Sequence, residues 1–147
     1  MAISRKSLCV VYALIAVAAL VGTWGNVLDA VGELGFVAGT LQFWQDVLVN
    51  DSSRFITVDI LFLSLAVIIW MLIEARKLGI RWVWLYVVGG LFIAISAAVP
   101  LFLIHRELKL GDASPDTPAG TLETADWAGL AVLTIGITAF SARTLTL

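Results

Sequence analysis

The chain has 147 residues, of which 61% are hydrophobic and 14% are charged, and its formal net charge is −2. Soluble domains carry about 25% charged residues, so this composition excludes a water-soluble globular fold and indicates a bundle of membrane-spanning helices. The acidic balance also excludes nucleic acid as a partner, because no basic stripe is present. The sequence therefore predicts an all-α membrane protein with a single transmembrane domain over residues 1–147. The expected architecture is a four-helix transmembrane bundle with an additional interfacial amphipathic segment.

The first apolar segment follows Arg5 and Lys6, an order that resembles the charged and apolar regions of a signal peptide. A spanning helix needs about 20 residues. We therefore expect this segment to be retained as the first spanning helix, over residues about 8–28.

The next segment, residues about 34–49, is too polar to span, yet its apolar side chains recur at helical spacing. This pattern predicts an amphipathic helix that lies in the membrane surface or against the bundle. The alternative is a loop that covers the outer end of the bundle. Phe36, Phe43 and Trp44 are the candidates in this segment for docking a partner protein.

Two longer apolar segments follow, over residues about 55–73 and 82–104. The charged link between them is short, which predicts that the second and third helices are antiparallel neighbours. Pro100 removes a backbone hydrogen bond and should bend or end the third helix near that point.

A polar loop leads to the fourth predicted helix, over residues about 127–145. It is the most polar of the four, so we expect it to pack against protein instead of facing lipid on all sides. Gly129 and Gly136 allow a close approach of another helix and are further candidates for docking a partner.

The positive charges set the predicted orientation. One side of the predicted bundle carries six Lys or Arg residues and the other carries three, which places both termini in the cytoplasm of a multi-pass plasma-membrane protein. The six are Arg5, Lys6, Arg76, Lys77, Arg81 and Arg143, and the three are Arg54, Arg106 and Lys109.

Asp59 is an acid inside the second predicted span, where a lone carboxylate costs a few kcal/mol unless it is paired or hydrated. An antiparallel hairpin brings Arg106 to the same outer level, so the sequence predicts a structural ion pair between Asp59 and Arg106. The alternative is that Asp59 is a substrate or proton site, because acids within spans are commonly functional.

The sequence predicts no catalytic, cofactor-binding or metal site. His105 is the only histidine and Cys9 is the only cysteine, whereas metal sites use several such ligands. The sequence also contains no readable nucleophile–base set, glycine-rich phosphate loop or paired cysteine motif.

The central part of the chain, residues about 8–107, resembles a family of small bacterial membrane proteins catalogued as a domain of unknown function. The family ends soon after the Arg106-Glu107 pair, so the loop and the fourth helix depart from it. The matching residues are Asn50, Ser53, Phe55, Asp59, Glu74, Ala75, Arg76, Leu78, Gly79, Trp84, Pro100, Leu101, Phe102, Leu103, Arg106 and Glu107. This resemblance implies no activity.

The whole four-helix chain is also similar to the small accessory subunit found with mycobacterial MCE-type lipid importers, which couple an ATPase and a permease to a periplasmic lipid tunnel. The resemblance implies a non-enzymatic transmembrane subunit that stabilises or regulates a larger envelope complex, with membrane lipids and the importer permease as partners. Two alternatives remain open. One is a small membrane enzyme that acts on a lipid or isoprenoid, with Asp59 and Glu107 as acid and base. The other is a homo-oligomeric carrier of small molecules or ions.

Overall fold

The structure, a computed structural model, describes residues 2–114 and 118–146, and at residues 29 and 30 it describes only the backbone. Within these residues the helices are α1 (Arg5–Trp24), α2 (Leu28–Leu34), α3 (Phe36–Asp46), α4 (Asp51–Leu78), α5 (Val83–Gly89), α6 (Ile95–Ala113) and α7 (Thr124–Thr144). A π-helical turn, Gly90–Ala94, joins α5 to α6, and the antiparallel strands β1 (Ala2–Ile3) and β2 (Gly120–Thr121) pair with each other. We call the end of the molecule where α1 begins the proximal end, and the end where α1 finishes the distal end.

Local capping explains where the longest helix, α4, begins and ends. Asn50 accepts a hydrogen bond at 2.9 Å from the backbone N–H of Ser53, which satisfies one of the free donors of the first turn. At the other end Gly79 adopts a left-handed conformation with a φ of 68°, and the N–H of Ile80 bonds back to the carbonyl of Ala75. The 28 residues of α4 extend over about 42 Å, which exceeds the roughly 30 Å of a bilayer core.

The third apolar segment is a helical hairpin, and the prediction of one helix over residues 82–104 missed this reversal. The backbone is extended at Ala94, with φ −166° and ψ 119°, and α6 then runs back beside α5. The hydroxyl of Tyr86 therefore lies 3.1 Å from Nδ1 of His105, although one straight helix would hold these residues about 28 Å apart. The helix does not end at Pro100, which lies inside α6.

Packing near the proximal end accounts for the hairpin. Phe102 is fully buried, and its ring packs edge-on against Trp70 at 5.8 Å and Tyr86 at 5.7 Å between ring centroids. At the turn, Nε1 of Trp24 donates a hydrogen bond at 3.1 Å to the carbonyl of Ile93, which gives that backbone group a partner where the chain reverses. The core of the molecule therefore lies between α4, α5 and α6, and α1 holds the tip of the hairpin.

Helices α1 and α7 run in the same direction. Strands β1 and β2 pair at the proximal end just before α7 begins, and at the distal end Gly22 faces Ser141 and the Asn26 amide nitrogen lies 3.4 Å from the Thr144 hydroxyl. The two ends of the described chain thus lie at opposite ends of α1. The prediction of two cytoplasmic termini stays a prediction, but in this fold the two ends of the described chain do not lie at the same end of the bundle. The hairpin is the reason, because it returns the chain to the proximal end before α7 starts.

Four helical segments are long and apolar enough to cross a membrane, and the predicted all-α, four-helix transmembrane fold is confirmed. They are Arg5–Trp24, Asp51–Leu78, Val83–Ala113 and Thr124–Thr144. The third segment is the hairpin, whose first arm, α5 with the π-helical turn, rises only about 18 Å.

Two short helices, α2 and α3, occupy the distal end, where one amphipathic segment over residues 34–49 was predicted. Gly35, with a φ of 80°, separates them, and the helical part begins earlier than predicted, at Leu28. The two helices pack on each other, and the ring of Phe36 stacks on Trp24 with the ring centroids 6.3 Å apart.

Candidate functional site

Charged side chains from three helices meet at the proximal end, and we call Arg5, Glu74, Lys77, Arg106 and Glu107 the proximal ion cluster. Glu107 is 4% exposed and accepts hydrogen bonds at 2.7 Å from both Arg5 and Arg106. Arg106 also donates through Nε to Glu74 at 3.3 Å, and the ammonium of Lys77 lies 3.8 Å from Glu74. The cluster thereby connects the start of α1, the end of α4 and the end of α6.

Glu107 is the centre of this cluster. A carboxylate that is removed from water needs opposite charges and hydrogen bonds to offset its lost hydration. Glu107 has both, because Oε2 accepts from Arg5 and Oε1 accepts from Arg106. This geometry fits a structural role that fixes α1 against α6.

A cleft of about 760 Å³ opens beside the proximal ion cluster, between β1, the first turns of α1 and the end of α6. Arg5, Cys9 and Glu107 are among the residues that line it. Its walls mix basic, acidic and small apolar side chains, without the enclosed apolar lining that is typical of small-molecule pockets.

The structure does not bring Asp59 and Arg106 together. Arg106 bonds to Glu74 and Glu107, whereas Asp59 precedes Glu74 by fifteen residues on α4 and lies about 22 Å from it along the helix axis. Asp59 is exposed and makes no ion pair within residues 2–114 and 118–146. The prediction was wrong because it assumed a straight third helix, and the hairpin carries Arg106 to the proximal end.

An unpaired Asp59 is costly in a spanning helix. Insertion scales put an aspartate at the centre of a span at about 2.5–3.5 kcal/mol, and such residues usually face protein or a water-filled cavity. Asp59 is thus a candidate for pairing with a group from outside this chain.

The enzyme alternative uses Asp59 and Glu107 as acid and base, and the length of α4 keeps these two residues far apart. A general acid and a general base act within hydrogen-bond reach of one substrate. Asp59 lies about 22 Å along α4 from the cluster that holds Glu107, so the two cannot serve one small reacting group. In the described part of the chain, no group of three or more His, Cys, Asp or Glu side chains could hold a metal ion.

The aromatic docking candidates lie on the outside of α3. Phe43 and Trp44 are 41% and 43% exposed, and their rings pack edge to face at 5.5 Å between centroids. Phe36 is also exposed, but one face of its ring is stacked on Trp24. Phe43 and Trp44 therefore form the aromatic pair that α3 presents outward.

The glycine candidates lie on α7, which has no buried residue and packs lightly on α1. A Cβ built on Gly129 or on Gly136 would have no neighbouring atom within 4 Å. The surface over these two glycines is open, so a second helix can approach it closely.

These features define a small polytopic membrane protein in which a partly buried ion cluster ties two spanning helices to a helical hairpin. Residues 11–108 match the family described as Protein of unknown function DUF2834, and the chain belongs to that family. The predicted resemblance to a family of unknown function is confirmed, and the matched region covers most of the hairpin and ends before α7. No curated protein and no solved structure matches the chain.

Proposed function

We propose that this protein is a non-enzymatic accessory subunit of a larger membrane complex and that it docks through the aromatic pair Phe43 and Trp44 of α3. The observation that supports this most is the exposure of that pair on a helix held to α1 by the stacking of Phe36 on Trp24. Exposed aromatic side chains with a fixed geometry are typical anchors of protein–protein interfaces.

The use of the charged residues supports the same function. The buried carboxylate Glu107 is engaged by Arg5 and Arg106, and the exposed carboxylate Asp59 lies about 22 Å along α4 from that cluster. Neither arrangement favours a reaction. A bundle tied at its proximal end by ion pairs is instead suited to presenting a fixed surface to a partner.

The proposal places the proximal end in the cytoplasm of a bacterial cell. Of the nine Lys and Arg residues, seven lie at the proximal end and two at the distal end, and positive charges mark cytoplasmic segments. The seven are Arg5, Lys6, Arg76, Lys77, Arg81, Arg106 and Lys109, and the two are Arg54 and Arg143. Helix α3 then faces the outer side of the plasma membrane.

The partner that the sequence resemblance suggests is the permease of an MCE-type lipid importer. In this proposal α3 rests on the outer surface of that permease, and the chain takes part in lipid transport by stabilising or regulating the complex. The chain itself contributes contacts and no chemical step.

Native purification of the tagged full-length chain from its own membranes tests the proposal. We expect the subunits of one transporter to co-elute, and the double variant Phe43→Ser with Trp44→Ser to lose them while it still inserts. Trp84→Ser with Leu85→Ser is the matched control, since it removes an exposed aromatic and an exposed aliphatic side chain near the proximal end. Elution of the wild-type chain with lipid alone would contradict the proposed function.

A further inference from the structure

We propose that a second copy of this chain docks on α4, with Arg143 on its α7 paired to Asp59. This goes beyond the proposed function, because it concerns contact between copies and uses a surface other than α3. Three features carry it: an acid without a partner, a base without a partner at matching depth, and an open glycine surface beside that base.

Asp59 lies on the part of α4 that other helices do not cover. Ser64 is buried, but closer to the distal end Phe55 and Phe62 are 76% and 70% exposed. The hairpin turns back at Ala94, so neither α5 nor α6 covers this part of α4. Phe55, Asp59 and Phe62 are spaced four and three residues apart, so they share one free side of the helix.

The base is Arg143, one of the two cations, Arg54 and Arg143, at the distal end. Arg54 is bound to the carboxylate of Asp51 and donates to the carbonyl of Leu48 at 2.6 Å. Arg143 is exposed and makes no ion pair with any residue the structure describes. Its guanidinium is therefore available to a carboxylate of another copy.

The two charges match in depth. Depth is measured from the proximal ion cluster toward the distal end, and Asp59 lies at about 22 Å along α4. Ser141 of α7 lies beside Gly22 of α1, so the depth of α7 can be read from α1. On this scale Arg143 lies at about 28 Å. Helical side chains lean toward the N-terminus of their own helix, so the Arg143 side chain points back toward the proximal end. That direction brings its guanidinium to the level of Asp59.

The surfaces around the two charges also fit. Gly129, Gly136 and Arg143 repeat every seven residues and lie along one side of α7, whereas Ser141 faces α1 from another side. At the depths given above, Phe62 of one copy comes level with Gly136 of the other. A bulky ring thus meets an open glycine surface, as close packing between spanning helices requires. The two glycines are in this way assigned to a second copy and not to a foreign partner.

Charge exchange tests the ion pair. Self-association of the full-length chain is measured in lipid bilayers by energy transfer between differently labelled copies. We expect Asp59→Arg and Arg143→Asp each to weaken association by about tenfold, and the double variant to recover most of the loss. Glu33→Arg is the matched control, because Glu33 is an exposed distal acid on α2, and it should leave association unchanged.

Cross-linking provides a readout that does not depend on the charges. In a Cys9→Ser background, Phe62→Cys in one tagged copy and Gly136→Cys in another should form a mixed disulfide in membranes. Thr138→Cys, on the opposite side of α7, should form none. A chain that is monomeric at every concentration, a missing cross-link, or a double variant that does not recover would overturn the proposal. So would a different protein that binds through Asp59. The energy-transfer measurement uses the purified chain in bilayers, so its outcome is independent of the native pull-down.

Discussion

The hydroxyl of Tyr86 lies 3.1 Å from Nδ1 of His105, and this contact joins the two arms of the hairpin near its proximal end. Phe102, one turn before His105, packs its ring against the same tyrosine. The two arms are therefore joined by a polar and an aromatic contact, and the extended residue Ala94 lies at the far end, where the chain reverses.

The first prediction concerns the distance between the arms. Spin labels at Leu85 and Leu108, both exposed, should lie close enough for dipolar broadening in a continuous-wave EPR spectrum, because the hairpin brings the arms side by side. A straight helix would hold these positions about 34 Å apart, beyond that range. Phe55 and Leu78, with the same sequence separation on the unbroken helix α4, are the control pair and should show no broadening.

The second prediction concerns topology. In a Cys9→Ser background, single cysteines at Lys77 and Ser114 should react with a membrane-impermeant reagent only after permeabilisation, because both lie at the proximal end, which we propose to be cytoplasmic. A cysteine at Thr146, beyond the distal end of α7, should react in intact cells. Labelling of Ser114 from the outside while Lys77 stays protected would support a straight third span and contradict the hairpin.

The third prediction concerns the proximal ion cluster. Glu107→Gln removes the charge that two arginines face, and we expect a loss of about 3 kcal/mol in the free energy of unfolding, because Arg5 then loses its carboxylate partner and Arg106 keeps only Glu74. Thermal unfolding in detergent measures this loss. Asp112→Asn is the control, since Asp112 is an exposed acid on the same helix. An equal loss in both variants would contradict the assignment.

The fourth prediction concerns the tip of the hairpin. Trp24→Phe keeps an aromatic ring next to Phe36 but removes the indole N–H that bonds to the carbonyl of Ile93. We expect a loss of about 1 kcal/mol and faster amide exchange around Ala94, because one backbone acceptor loses its partner. Trp84→Phe, at an exposed position, should change neither quantity.

The class of fold could be predicted from the sequence because its signals are local. Hydropathy located the spans, and the glycine after Leu78 is typical of a helix end. The reversal at Ala94 could not be predicted in this way, because residues 82–104 carry no charged side chain and alanine favours helix. The reversal depends on the packing of Phe102 with Trp70, a contact between residues far apart in the chain.

The candidate site could not be predicted for the same reason. Arg106 was assigned to Asp59 from the register of a straight hairpin, and the true register places it beside Glu74 and Glu107. Two signals were present. Glu74 and Glu107 are among the residues that carry the family resemblance. The second signal is the charge count: when the third apolar segment folds back, seven Lys and Arg residues lie at one end of the bundle and two at the other, whereas a straight segment divides them six to three.

The pairing of β1 with β2 has a consequence for how the chain is made. Ala2 pairs with Thr121 and Ile3 with Gly120, so the first strand leaves the ribosome more than a hundred residues before its partner exists. Helix α1 is therefore inserted while its leading strand is still open. Synthesis of α7 follows at once and closes the molecule at both ends of α1. A chain interrupted after α6 would keep an unpaired strand edge at its N-terminal end, available to other extended segments.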